Sequence, residues 1–108
     1  MTPLTPAVFD VLLALADGER HGYAIMREVS VSSGRLMGPG TLYGTLKRLL
    51  EAGLVEEAAK REDPELNAER RRYYRLSEQG KLAVIEEASR LEALLRAARS
   101  KALLRTEA

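Results

Sequence analysis

At 108 residues, 45% of them hydrophobic and 31% charged, the chain can fill one small core, and its composition excludes a disordered polyelectrolyte. A formal net charge of +1 at pH 7 neither requires nor forbids nucleic acid, because local clustering decides that and not the total. The absence of cysteine rules out disulfides, thiolate zinc sites and cysteine redox sensing, and the longest apolar run, Val11 to Ala16, is six residues, so a cytoplasmic protein without a membrane span or export signal is expected.

Thr5 followed by Pro6 predicts a helix start, with the hydroxyl capping free amides and proline in the first turn, where its missing donor costs nothing. Val8, Val11, Leu12 and Leu15 give this first helix one apolar face, and Gly18 is placed to end it in a left-handed turn. A second helix is expected from about Gly22 to Ser33, burying Ile25, Met26 and Val29 and stopped by Gly34. After a turn over Gly34 to Gly38, Pro39 opens a third helix that continues to about Ala52, before Gly53, with Leu42, Leu46, Leu49 and Leu50 as its core stripe. The opposite side carries Gly40, Thr41, Gly44, Lys47, Arg48 and Glu51, with Tyr43 at the border.

Leu54 to Ala58 and Arg71 to Leu76 read as two short strands around a polar loop, Lys60 to Arg70, that contains Pro64. A lone hairpin is barely stable in water, so Leu54, Tyr74 and Leu76 are expected to anchor it on the helices. Ser77 caps a last helix predicted to reach about Leu104. Leu82 and Ile85 form one apolar face near its start. Val84, Ala88, Leu91, Leu95, Ala98 and Ala102, spaced 4, 3, 4, 3, 4, form a second, which has the spacing of a coiled-coil seam and calls for a partner helix.

The expected fold class is therefore mainly α with a small β-hairpin: a winged helix-turn-helix over residues 1–77 and a long C-terminal dimerisation helix over 78–108. A third helix that is basic outside suits the major groove of double-stranded DNA, with the wing and neighbouring residues on phosphates. Residues 41–50 hold Lys47 and Arg48 with no acid, and 70–75 hold Arg70, Arg71, Arg72 and Arg75 with no acid. The candidate DNA-contacting residues are Thr41, Tyr43, Gly44, Lys47 and Arg48 on the third helix and Lys60, Arg61, Arg70, Arg71 and Arg72 at the base of the wing. Glu62, Asp63 and Glu65 in the wing loop would be repelled by phosphate, so deep insertion of the tip is not expected.

These residues also carry a family resemblance. His21, Gly22, Tyr23, Ala24 and Ile25 resemble the helix 2 signature of PadR-like regulators, and Gly38, Pro39, Gly40, Thr41, Leu42 and Tyr43 resemble the start of their recognition helix. Leu46 to Leu49, Glu51, Gly53 to Val55, Arg72 to Leu76 and Gly80 continue the likeness in order and spacing, so that it covers roughly Leu12 to Leu82. The resemblance implies a winged helix-turn-helix, a homodimer formed through the C-terminal helix, usually repression, and in some members release by a small aromatic or drug-like effector. A single helix after the wing looks like the compact members of the family. Where a serine or threonine is often expected before the proline of the recognition helix, this chain has Gly38, which weakens the cap by a few tenths of a kcal/mol.

Other readings compete with these. His21, the only histidine, is better read as a local helix cap than as a metal ligand or catalyst, and no cofactor or catalytic set is expected. Tyr23, Tyr73 and Tyr74 read as core and interface residues before a base-stacking platform. The seam on the last helix has packing on its own chain as an alternative, and Arg70 to Arg72 has an ordinary solvated surface. At the level of function the alternatives are a winged-helix module used only for protein contacts and, more weakly, a ligand carrier. Retention of Lys47 and Arg48 on an outward face favours DNA.

Overall fold

Thr5 accepts a hydrogen bond from the Val8 amide at 3.3 Å and Pro6 opens α1 (Pro6–Ala14), as the sequence predicts. This computed structural model describes residues 3–62 and 70–101, and side chains outside 59–71. The end of α1 differs from expectation. Leu15 is the C-cap, and the Arg20 Nε donates to the Ala14 carbonyl at 2.7 Å, so a side chain arriving from beyond the turn satisfies a helix-end acceptor. Gly18 lies in the loop that follows, at φ +151°, and does not stop the helix.

That loop leads into a strand with no sequence signature. β1 (Arg20–His21) pairs with Tyr74 and Tyr73 of a later strand, and two residues are too few to show alternation. His21 then caps α2 (Gly22–Ser33), its Nδ1 accepting the Ala24 amide at 3.1 Å while its ring meets Tyr73 edge to face, with centroids 5.5 Å apart. The capping role read for the lone histidine is the one it has. Gly34 ends α2 in the left-handed conformation at φ +77°, a position that favours glycine. Arg35 Nε, 2.7 Å from Asp10, and Ser33 Oγ, 3.1 Å from the same carboxylate, fasten the following loop to α1.

α3 (Pro39–Glu51) starts at Gly38 without a side-chain cap and buries Leu42, Thr45, Leu46 and Leu49, with Leu50 half-buried at the stripe's edge. Leu12, Ile25, Leu42, Leu46, Val11 and Val29 are the largest fully buried side chains, so the three helices share one core. β2 (Val55–Glu62) and β3 (Arg70–Leu76) form an antiparallel hairpin with an irregularity between Ala58 and Arg61, and β3 lies between β1 and β2. The sheet thus has three strands where two were expected. Its hairpin also runs further than predicted, because beyond the irregularity Arg61 and Glu62 pair with Arg71 and Arg70 through the backbone without the apolar alternation that marks a buried strand. The loop with Asp63, Pro64 and Glu65 lies outside the described residues. Tyr74 and Leu76 point into the core and Leu54 is half-buried, as anchoring required.

Ser77 starts α4 (Glu78–Ser100), accepting the Gly80 amide at 3.0 Å and donating to the Gly53 carbonyl at 2.6 Å, which ties the helix to the turn after α3. A β-carbon on Gly80 would run into the Leu54 carbonyl oxygen, so the close approach of α4 to this turn depends on glycine. The inward face of α4 is Gly80, Ala83 and Glu87 with Val84 at its edge, whereas Leu82 and Ile85, the apolar face read near the helix start, are each 60% exposed. Close helix packing selects the small side chains and turns the large ones out. Glu87 is buried with both oxygens on Arg90 and one also near the Leu4 amide; the Arg90 guanidinium holds its carboxyl below the usual carboxylate range. α4 ends at Ser100, where the Lys101 amide closes the last turn on the Ala97 carbonyl, short of the Leu104 expected from the apolar spacing; Ala102 lies outside the described residues.

Candidate nucleic-acid interface

One face of α3 remains uncovered by the rest of the fold. Thr41, Lys47, Arg48 and Glu51 are exposed on it, and Gly44 is half-buried. Among the described residues, neither Lys47 nor Arg48 has a carboxylate within ion-pair distance, although Glu51 stands one turn from Lys47. Arg48 Nη2 lies 3.5 Å from the hydroxyl of Thr45, which is itself buried, so the guanidinium leans on a fixed group while the Lys47 ammonium is untethered. The polar Thr45 in the core stripe is a residue that apolar periodicity cannot single out.

Tyr43 flanks this face, and its ring packs over α2. A β-carbon on Gly22 would fall 2.7 Å from Tyr43 Cζ and closer still to its hydroxyl oxygen, so the glycine beside His21 makes room for the ring. Gly22→Ala is therefore expected to displace the half-exposed Tyr43 ring, and because the ring can swing toward solvent the fold loses only about 1 kcal/mol, the low end of the cost of overpacking. In the Tyr43→Ala background the same change should cost little, a coupling that denaturant unfolding of the four variants measures. Equal costs in both backgrounds would show that the ring does not set the requirement for glycine.

The second basic cluster looks different in three dimensions. Arg72 Nε is 3.3 Å from Glu57 on the neighbouring strand, and Arg75 reaches Glu56 at 3.2 Å and Glu19 at 3.4 Å. The run Arg70 to Arg75 is acid-free along the chain only, since β-pairing sets Glu56 and Glu57 opposite Arg75 and Tyr74. Burial pushes the Tyr74 hydroxyl above its ordinary pKa, and the Arg72 charge opposes that shift. Arg61 and Arg71 are register partners and Arg70 pairs with Glu62 through the backbone, while the side chains of Lys60, Arg61, Arg70 and Arg71 lie outside the described residues. The structure therefore leaves α3 with its net positive charge and offsets much of that on β3.

Of the seam predicted on α4, Val84 packs against its own domain's core, Ala98 is half-buried, and Ala88, Leu91 and Leu95 are exposed. Leu94 beside them is exposed too, which enlarges the apolar surface beyond the predicted spacing. Tyr23, read from sequence as a core or interface residue, is 57% exposed and carries Arg27 over its ring. No group of three His, Asp or Glu side chains able to hold a metal ion occurs among the described residues, and no described helix is long and apolar enough to cross a membrane.

Comparison with known proteins agrees with this fold. Residues 11–86 match the transcriptional regulator PadR-like family. The transcriptional regulator Rv3488 of Mycobacterium tuberculosis is 37% identical over 84 residues, covering 78% of this chain and 74% of that protein. A 37.1 kDa protein in transposon Tn4556 of Streptomyces fradiae is 56% identical over 45 residues, which is 42% of this chain and only 13% of that longer protein. In three dimensions the chain superimposes on a PadR family transcription regulator from Clostridium difficile with a TM-score of 0.69 at 23% identity, covering 85% of this chain and 95% of that one.

Proposed function

The chain belongs to the PadR-like family of transcriptional regulators, and from that premise we propose that it is a sequence-specific repressor which binds double-stranded DNA as a homodimer in the cytoplasm. Residues 1–77 form the DNA-binding unit and 78–108 the dimerisation segment that contains α4. The observation that carries the reading is the outward face of α3, where Lys47 and Arg48 stand without carboxylate partners among the described residues, beside Thr41, Tyr43 and Gly44 on a helix of groove-fitting size. Thr41 and Lys47 hold phosphates, and Tyr43 meets the sugar-phosphate backbone or a thymine methyl. Lys60, Arg61 and Arg70 to Arg72 supply further phosphate contacts from the base of the wing, with Arg72 sharing its charge with Glu57.

Two-fold symmetry makes the operator near-palindromic, with half-sites roughly 10 base pairs apart or a simple multiple of that. Occupancy of a promoter by such a dimer blocks polymerase, which is the simplest route to repression. Footprinting on DNA from the protein's own genetic neighbourhood tests the reading, and two protected segments on one face of the duplex are the expected result. Affinity for every such fragment no tighter than for random DNA at physiological salt would overturn it. Release by a small effector belongs to the same proposal, and the cavities between α4 and the winged domain, about 290 and about 340 Å³, lie at the small end of the range for organic ligands.

A further inference from the structure

A shallow cavity of about 500 Å³, wide open to solvent and larger than either of those, lies on the outer side of α2 where that helix meets the α2–α3 loop. Tyr23, Met26 and Val31 form one wall, and Leu36 and Met37 the other. Val31 is 77% and Leu36 87% exposed, so two branched aliphatic side chains stand in water at its rim. The loop wall is held in place, since Arg35 next to Leu36 is tied to Asp10 on α1. The volume is that of a typical organic-ligand site, and clustered exposed apolar groups with a polar rim mark surfaces that bind something.

One charged side chain lines the cavity. Arg27 holds its guanidinium 5.9 Å from the centroid of the Tyr23 ring, with Ser30 one turn away. Among the described residues Arg27 has no carboxylate partner, whereas Arg20 and Arg35 on either side of it in the chain do. A cation–π contact at this distance draws the guanidinium toward the ring and leaves its N–H groups available to an acceptor.

We infer that this cavity is a binding site for a small amphipathic organic anion, whose apolar body lies between Met26, Leu36 and Met37 and whose single carboxylate or sulfonate meets Arg27 and Ser30. A nucleic-acid strand would suit Arg27 and leave the aliphatic walls against charged sugar-phosphate, so the lining favours an apolar body. A second copy of the chain is better served by the leucines of α4, which packs on α1 and β3. The cavity ends on Gly38, the N-cap of α3, which offers no side chain between ligand and helix. Occupancy therefore opposes DNA binding, a consequence that rests on the function proposed above, whereas the site itself does not.

Met26 and Met37 are two of the three methionines in the chain, and both line the cavity, so methyl-labelled methionine reports on it directly. The labelled protein is titrated with anilinonaphthalene sulfonate and with uncharged phenylnaphthylamine. Saturable shifts of the Met26 and Met37 signals are expected, with the sulfonate bound roughly fivefold tighter, the scale of an exposed ion pair. Arg27→Gln should erase that preference, and Leu36→Ser should weaken both probes without moving the thermal midpoint, since both side chains are on the surface. Probe fluorescence that rises while both methyl signals stay still would place the dye elsewhere and overturn the site. So would equal affinity for the two probes, or a preference that survives Arg27→Gln. Duplex DNA added to the sulfonate complex should return both signals to their free positions, and simultaneous binding would overturn the antagonism. The methyl titration needs no DNA, so a failure of the DNA-binding proposal and a failure of the site are read separately.

Discussion

Replacing Leu91 and Leu95 together with glutamate is expected to leave a folded monomer that has lost roughly 10²- to 10⁴-fold in affinity for a two-half-site operator. Both leucines are exposed on α4, about 40% each, so charging them costs a single chain little. In a dimer with α4 at the interface, the same changes set four carboxylates in an apolar contact, and burying an unpaired charge is far more costly than losing a contact. The drop in DNA affinity follows because two linked recognition helices bind the second half-site at a high effective concentration and separate helices do not. Sedimentation gives the mass, circular dichroism the helix content and anisotropy titration the affinity. A wild-type protein that sediments as a folded monomer at micromolar concentration would sink the dimer proposal. A double variant that remains dimeric would move the interface away from these residues.

Neutralising α3 is expected to have the second largest effect, and its two cations should leave different signatures. Lys47, untethered and exposed, acts as a point charge on phosphate, so Lys47→Ala should lower affinity for all sequences alike and reduce the magnitude of the log–log salt slope by about one per contact. Arg48 leans on the buried Thr45 hydroxyl, which limits the orientations of its planar donor fork. A fixed fork is what bidentate reading of guanine needs, so Arg48→Ala should cost about 1–3 kcal/mol and relax preference at one base pair in each half-site. Arg48→Lys should not restore that preference, because an ammonium keeps the charge and loses the fork. Titrations over a series of salt concentrations, on the operator and on single-base variants, separate the two roles. Equal losses on operator and random DNA for Arg48→Ala would assign it to phosphate instead.

Most helix boundaries were legible in the chain because they are set by neighbours in sequence. Thr5 with Pro6, His21 before Gly22, Pro39 and Ser77 each start a helix through a cap or a fixed φ, and Gly34 ends one through a left-handed residue. The core stripe on α3 was equally readable, since burial on one side of a helix leaves a period that a single sequence records. The same period told which side of α3 stays outside, and with it Thr41, Lys47 and Arg48.

Tertiary structure decided everything that depends on residues far apart in the chain. Arg20 ends α1 from beyond the turn, β1 exists because β3 offers it an edge, and Glu19, Glu56 and Glu57 offset a run of arginines that is acid-free only in one dimension. Gly22 makes room for Tyr43, and Gly80 lets α4 approach the Leu54 carbonyl, which leaves the apolar face of Leu82 and Ile85 outward. Caps and helical periods are local free-energy preferences, so composition and spacing carry them; strand partners, cross-strand charge pairs and steric room for a ring are properties of the packed chain, and no spacing in the sequence encodes them.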